Sequence, residues 1–198
     1  ALAIAVLVSA IVLAAETGEA MVQVSAYGDE RRLPLKVPAA LLLPMALSWL
    51  VWVAAALAAV VLLAAGKWAT GAPLLAVAGF LTWALVRRLH RFSRRWLVVV
   101  PAGIVVHDQV VLGETLMVQT TNVRLCRLAL ADTQAADLTG PSTGHALEVT
   151  EKEMVTGLFA ATPSEPKGRA LHMQSFLVAP SRPGRALQAL SARKVPVG

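Results

Sequence analysis

The uncharged stretch of residues 39–65 constrains this chain more than any other part of its sequence. It contains eight leucines and four valines, and each of these favours insertion near the centre of a membrane helix by roughly 0.3–0.6 kcal/mol. A helix of this length spans about 40 Å, which exceeds the hydrocarbon core of a bilayer, about 30 Å thick. The stretch therefore predicts a membrane-spanning helix, kinked if Pro44 lies inside it.

A second apolar stretch, residues 70–86, comes after a short connection at residues 66–71 and predicts a helix over about residues 72–89. The short connection makes the two helices an antiparallel hairpin. Trp68 is placed to anchor the turn at the membrane interface. Small residues on the second helix could allow close approach of the first, although such spacing is common in an alanine-rich chain: Ala72, Ala76 and Gly79.

Positive charge flanks this hairpin on both outer sides. Arg31, Arg32 and Lys36 precede it, and only Lys67 lies in its turn. Five arginines follow its second apolar stretch: Arg87, Arg88, Arg91, Arg94 and Arg95. Because cytoplasmic flanks carry an excess of lysine and arginine, we expect both outer ends to be cytosolic. The sequence thus predicts a multi-pass protein of the cytoplasmic (inner) membrane, with residues 39–95 as the hairpin and its basic juxtamembrane end.

Residues 1–15 are apolar except for Ser9. They match either a signal segment or the end of a third transmembrane helix. We favour the helix, because a signal segment carries a basic region before its apolar run and none is seen here. Residues 16–38 are then expected to form a cytosolic loop, in which residues 21–27 have a weak strand pattern.

From residue 96 the pattern changes from helical to β, with short β-branched runs between turns. The expected strands are residues 96–100, 104–107, 110–112, 116–119, 123–128, 145–150, 154–160 and 169–178. Residues 129–144 are expected to form a loop. Ser181 precedes a helix whose apolar face carries Leu187 and Leu190. Residues 96–198 therefore predict a small cytosolic α+β domain, a bent sheet or partly open barrel closed by a C-terminal helix.

A membrane hairpin, then an Arg94-Arg95-Trp96 segment leading into the strand pair of residues 96–107, then a β-domain, resembles the bacterial pleckstrin-homology-like (PH-like) membrane proteins. The ending at residues 176–187 and the alanine, valine and leucine bias resemble uncharacterised actinobacterial membrane proteins. The resemblance covers about residues 39–195 and is one of layout more than of motif. It implies a PH-like β-domain with a scaffold or binding role, and it brings no catalytic motif.

The arginine block and the tryptophan that follows it form the candidate site of this sequence. Its members are Arg87, Arg88, Arg91, Arg94, Arg95 and Trp96. They could bind lipid phosphates or the acidic face of a partner. The alternative is a topology signal that merely meets anionic lipid, and we favour it because almost any inner-membrane hairpin needs such a block.

Charge alone would suggest a nucleic-acid partner, since the formal net charge is +6 and the pI about 10.2. Beside a membrane this charge fits anionic head groups better. Apolar residues make up 57% of the chain, and their excess lies before residue 87. We therefore expect membrane lipids and another membrane protein or complex as partners, and no nucleic acid.

Catalytic and cofactor motifs are not found in the sequence. The four histidines lack the spacing of a helical metal site. The pair His107-Asp108, with Ser142 or Ser175, could form an acyl-transfer set, but no Gly-x-Ser-x-Gly context supports it. No phosphate-binding glycine loop is present. We expect no enzyme activity, no cofactor and no metal.

Cys126, the single cysteine, lies in an expected strand between Arg124 and Arg127. Those cations could lower its pKa. A small core residue is the commoner role for such a cysteine, and we favour it.

Two functions follow from these observations. The first is a non-enzymatic accessory or scaffold protein, whose hairpin packs in the membrane and whose β-domain binds another protein. The second is a peripheral sensor of anionic lipid, anchored by the hairpin, in which Arg124 and Arg127 join the arginine block.

Overall fold

The structure, a computed structural model, describes residues 2–161 and 165–198. Ala1, in the segment expected to end a third membrane helix, and residues 162–164, in the linker before the last expected strand, lie outside the described residues. The helices are α1 (Leu2–Leu13), α2 (Ala15–Val24), α3 (Ala39–Ala64), α4 (Trp68–Ser93) and α5 (Pro183–Ala192). The strands are β1 (Arg31–Pro34), β2 (Trp96–Val100), β3 (Gly103–His107), β4 (Leu116–Gln119), β5 (Val123–Leu128), β6 (Ala136–Asp137), β7 (Leu147–Phe159) and β8 (Arg169–Val178).

The chain divides into two compact units. The helical hairpin is Val37–Ser93, and the sheet unit is the chain before Val37 together with the chain after Ser93. The hairpin is therefore inserted between β1 and β2 of the sheet unit. Its two helices are long and apolar enough to cross a membrane, which confirms that part of the expected architecture.

The hairpin helices pack through small side chains. Ala55 and Ala59 of α3 and Ala78 of α4 are buried between them, and the indole Nε1 of Trp52 donates to Thr82 Oγ1 at 2.7 Å. A Cβ added at Gly71 would lie 2.8 Å from the Leu63 side chain, so this glycine permits the close approach.

The small residues expected to mediate that contact face elsewhere. Ala72 and Ala76 are exposed, and a Cβ at Gly79 would meet nothing within 4 Å. On α4, residues at a spacing of seven and four share one face, and the face that meets α3 carries Gly71, Ala78 and Thr82. The expectation for Ala72, Ala76 and Gly79 is therefore wrong.

The first sheet is an antiparallel meander in the order β1-β2-β3-β4. Arg32 pairs with Val98, and Trp96 pairs with His107. The pleat points alternate residues inward, so Leu33, Leu97 and other apolar side chains are buried while Arg32, Trp96 and His107 lie on the opposite face.

The second sheet has the order β5-β7-β8-β6, with β5, β7 and β8 antiparallel and the short β6 parallel to β8. The strands expected at residues 116–119, 123–128 and 169–178 are confirmed. The strands expected at 145–150 and 154–160 are one long strand, β7, interrupted by a register shift between Thr150 and Val155.

Residues 110–112 do not form the expected strand. The Asp108 carboxylate accepts the backbone N–H groups of Val110 and Val111 at 3.0 and 3.3 Å, and the N–H of Leu112 donates to the Asp108 carbonyl at 2.8 Å. These bonds turn the chain instead of extending it. Leu112 is left with a single bridge to Phe159.

Bridges at two corners connect the sheets. Leu35 bridges to Pro180, and Leu112 bridges to Phe159. One apolar core lies between the sheets and includes Val99, Phe176 and, from α5, Ala186 and Leu190, each fully buried. The helix thus closes the core of the small sheet domain, as its apolar face predicted.

Residues 16–38 do not form the expected loop. They contain most of α2 and all of β1, and the weak strand pattern of residues 21–27 falls largely within α2. Within the region expected to end a membrane helix, α1 ends at Leu13, and Ala14, which separates α1 from α2, has extended backbone angles. The sheet domain therefore begins before the hairpin in sequence.

Candidate functional site

Three arginines of the candidate block lie on the last turns of α4. Arg87, Arg88 and Arg91 are exposed, and the guanidinium of Arg87 lies 5.0 Å from the ring centroid of Trp83, one helical turn earlier. Arg94, which follows α4, is also exposed. These four cations are accessible to anions.

Arg95 does not belong to that accessible set. Its side chain is 1% exposed, and its Nε and Nη2 donate to the two carboxylate oxygens of Asp108 at 2.9 and 2.7 Å. Nη2 also donates to the carbonyl of Thr139 at 3.2 Å. A buried guanidinium needs such partners because an unpaired charge is strongly destabilising in the interior. The expectation that Arg95 meets lipid head groups is wrong.

Arg95 instead joins the two ends of the chain that flank the hairpin. The N–H of Leu35 donates to the Arg95 carbonyl at 2.9 Å, and Arg95 Nη1 donates to the carbonyl of Lys36. Lys36 is in turn fixed by its Nζ, which donates to the carbonyls of Thr143 and His145, each at 3.1 Å. The sheet unit therefore holds both ends of the inserted hairpin at one place.

Trp96 is half-buried in a stack on the outer face of the first sheet. The Arg32 guanidinium lies 4.6 Å from its ring centroid, and the His107 ring centroid is 5.5 Å away on the next strand. Burial is the main factor that lowers the pKa of His107, and the positive charge of Arg94 lowers it further. The negative charge of Asp108 raises this pKa, and the positive charge of Arg32 lowers it by the smallest of these amounts. His107 therefore favours its neutral form beside this cationic face.

The imagined acyl-transfer set is not assembled. His107 Nδ1 bonds to Thr115 Oγ1 at 3.0 Å, and Asp108 is committed to Arg95. Over residues 2–161 and 165–198, no hydrogen bond joins His107 to Ser142 or Ser175, and no group of three potential metal ligands comes together.

Cys126 is fully buried in the core, and burial raises the pKa of its thiol to about 12. This confirms its role as a core residue. Of the neighbouring cations, Arg127 pairs with Glu148 at 3.3 Å, while Arg124 is exposed on β5.

Sequence reasoning missed a polar cluster around α2. Glu19 is 4% exposed and pairs with three arginines: Arg31 from β1, Arg182 directly before α5 and Arg185 in its first turn, the latter two at 3.4 and 3.6 Å. Glu16 adds a second pair with Arg182 at 3.4 Å. The acidic-to-basic change between residues 16 and 36 was the available signal, but it does not reveal the partners on α5.

The Gln23 side chain completes this attachment. Its Oε1 accepts the N–H of Arg32 at 3.0 Å, and its Nε2 donates to the carbonyl of Glu30 at 2.9 Å. One amide side chain thereby satisfies two backbone groups on the edge of β1.

A second missed residue is Glu151, a fully buried carboxyl group at the irregular part of β7. Its Oε2 accepts from Asn122 Nδ2 at 3.2 Å, and its Oε1 has no hydrogen-bond partner among the described residues. Burial raises the pKa of Glu151 to about 7.

Comparison with known proteins adds no assignment to this geometry. No protein-family model, no curated protein and no solved structure matches the chain.

Proposed function

We propose that the protein is a non-enzymatic accessory or scaffold protein of the cytoplasmic membrane, a subunit or partner of a larger complex, whose cytosolic sheet domain binds another protein. The observation that carries this proposal is the insertion of two apolar helices between neighbouring strands of one sheet. A domain tethered through two adjacent strands is restrained more than one tethered through a single terminus.

The chemistry of the hairpin supports a membrane setting. Most side chains of α3 and α4 are exposed, including large ones such as Leu43, Trp49 and Phe80. Water-soluble monomers rarely leave so large an apolar surface uncovered. In a bilayer these side chains would meet lipid, while Trp52 and Thr82 satisfy one another inside the hairpin.

The topology of the sheet unit supports the proposed PH-like fold. A four-stranded meander is followed by a second sheet, in which β5, β7 and β8 are antiparallel neighbours, and by a C-terminal helix that closes the core. In this proposal the hairpin interrupts the PH-like domain after its first strand. The resemblance to actinobacterial membrane proteins stays a prediction.

Isolation of the native protein in mild detergent tests the scaffold function. We expect a second membrane protein to co-purify and to be cross-linked to residues of the sheet unit. If the chain migrates alone and cross-linking in intact membranes captures no partner, the subunit form of this proposal is wrong.

A second candidate function, binding of anionic lipid, is favoured by the exposed cations Arg87, Arg88, Arg91 and Arg94. The test uses the full chain, because residues 96–198 alone lack β1. Protein in neutral detergent is mixed with phosphatidylglycerol and phosphatidylcholine, and retained lipid is measured by mass spectrometry. Preferential retention should fall when Arg87, Arg88 and Arg91 become Gln, and should persist when Lys152, Lys167 and Arg169 become Gln. If both variants lose phosphatidylglycerol retention equally, the lipid is attracted by the general positive charge of the protein and not by a site at these arginines.

A further inference from the structure

The edge of β1 is covered in two different ways along its length. Toward its end, the Pro34 carbonyl accepts the N–H of Ser181 at 2.8 Å, and the N–H of Lys36 donates to the Ala179 carbonyl, also at 2.8 Å. This part of the edge is paired with backbone, as in a normal sheet. At its start, the backbone N–H of Arg32 and the carbonyl of the preceding Glu30 bond to the side-chain amide of Gln23. A helix thus stands where a neighbouring strand would lie.

The contacts that hold α2 in this place are polar. Glu19 is its only buried residue, and no residue of α2, all of which the structure describes, belongs to the apolar core. Met21 and Val24 are 68% and 87% exposed. Because apolar burial supplies most of the stability of a packed element, an element held by ion pairs and two hydrogen bonds opens at a low free-energy cost.

The sequence of α2 adds to this weak attachment. Thr17, Gly18, Val22 and Val24 are poor helix formers, and residues 21–27 carry a strand-like pattern. The intrinsic secondary-structure preference of this segment therefore disagrees with the observed helix. Such a disagreement is typical of segments with more than one accessible conformation.

Charge defines what would replace α2. When α2 leaves, it removes Glu16 and Glu19 and leaves Arg31, Arg182 and Arg185 without these carboxylates beside the opened edge. An incoming segment with carboxylates would restore those ion pairs, whereas a basic segment would be repelled. Its backbone would pair with the N–H of Arg32 and the carbonyl of Glu30 that Gln23 had satisfied.

We propose that α2 is a displaceable cover and that an extended, acidic segment of a partner protein takes its place, adding to β1 as a further strand. This proposal rests on the proposed function and names the site and chemistry of its partner. The covered form is the resting state, since Gln23 and Glu19 already satisfy the edge and the arginines.

The first experiment measures binding of two labelled peptides to the full chain in mild detergent. One peptide alternates valine with glutamate, the other valine with lysine. Glu19→Ala/Gln23→Ala should bind the acidic peptide about tenfold more tightly than the wild type, because the cost of opening is removed. The control Glu153→Ala/Gln174→Ala changes exposed residues of β7 and β8 and should match the wild type. If Glu19→Ala/Gln23→Ala and the wild type bind the acidic peptide with equal affinity, or if the acidic and basic peptides bind equally well, the proposal is overturned.

Hydrogen exchange of the wild-type chain gives a test that does not depend on the variant folding. Saturating acidic peptide should speed amide exchange in α2 and keep the Arg32 amide protected. Unchanged exchange in α2 at saturation overturns the displacement.

Co-purification separates this proposal from the proposed function. Arg182→Glu/Arg185→Glu should lose the native partner, because the opened edge would repel an acidic segment. If the partner is retained by this variant, the protein is still a scaffold but the β1 edge is not its site. If the wild type retains no partner, the proposed function is wrong. The peptide measurements then still test whether the β1 edge binds an acidic segment.

Discussion

Arg95 and Asp108 form a buried, bidentate ion pair that joins the residue before β2 to the residue after β3. The same guanidinium reaches the carbonyls of Lys36 and Thr139. Asp108 also holds the turn at Val110 and Val111. One pair thus organises the start of β2, the end of β1 and the turn after β3.

Replacing Arg95 tests that organising role. Arg95→Lys keeps the charge but cannot reproduce the planar pair of donors, so buried acceptors lose their hydrogen bonds and the sheet unit should be destabilised by about 1–3 kcal/mol. Arg94→Lys, one residue away and exposed, should change stability by less than about 1 kcal/mol. Denaturant unfolding in detergent, followed by tryptophan fluorescence, measures both. Equal, small decreases in the free energy of unfolding for the two variants would show that the Arg95–Asp108 pair contributes little to stability.

The sequence could not distinguish Arg95 from its neighbours. All five arginines follow the apolar stretch of residues 70–86, and their charge alone predicts a topology signal. The difference arises because β2 begins at Trp96, so alternate side chains point into the core, and because Asp108 is brought opposite by the β2–β3 pairing. Short strands with clear alternation were predictable, since that pattern is local. That residues 31–34 form a strand of this sheet was not predictable, because the whole hairpin separates β1 from its partner β2 in the sequence.

The hairpin interface offers a matched pair of glycines. Gly71→Leu places side-chain atoms against Leu63, and such overpacking should destabilise the hairpin by about 1–3 kcal/mol. Gly79→Leu enters open space and should leave the α3–α4 contact intact. Unfolding by a denaturing detergent, followed by circular dichroism, compares them. If Gly79→Leu destabilises the hairpin more than Gly71→Leu does, Gly79 instead contacts another chain.

The buried thiol of Cys126 provides a probe of unfolding. Because only the thiolate reacts and burial raises the pKa of Cys126 to about 12, the folded protein should resist maleimide labelling at neutral pH. Labelling should become complete in denaturant. Arg127→Cys would supply a partly exposed thiol as a positive control in the same sheet. Rapid labelling of the native wild type would contradict the burial of Cys126.

The raised pKa of Glu151 predicts a stability that depends on pH. The folded protein holds this proton up to about pH 7, whereas the unfolded chain releases it near its ordinary pKa, 4.5. Stability from this group is therefore present at low pH and is lost as the pH rises through about 7, by on the order of 3 kcal/mol. Glu151→Gln should flatten this dependence, and Glu153→Gln, on an exposed neighbour, should not. Urea unfolding at a series of pH values measures the difference, and parallel curves for wild type and Glu151→Gln would exclude the effect.

The membrane orientation gives the last prediction. The positive-inside rule predicts that the sheet unit is cytosolic, so a reporter fused after Gly198 should register on the cytosolic side. Neutralising Arg87, Arg88, Arg91 and Arg94 should weaken or scramble that orientation. Arg95 is left unchanged because its loss would break the Asp108 pair and confound the result. Neutralising Lys152, Lys167 and Arg169 is the control, since cations more than about 20 residues from a helix end contribute little to topology. A clear external signal from the wild-type fusion would overturn the orientation, and with it both the cytosolic partner and the sensing of cytosolic lipid.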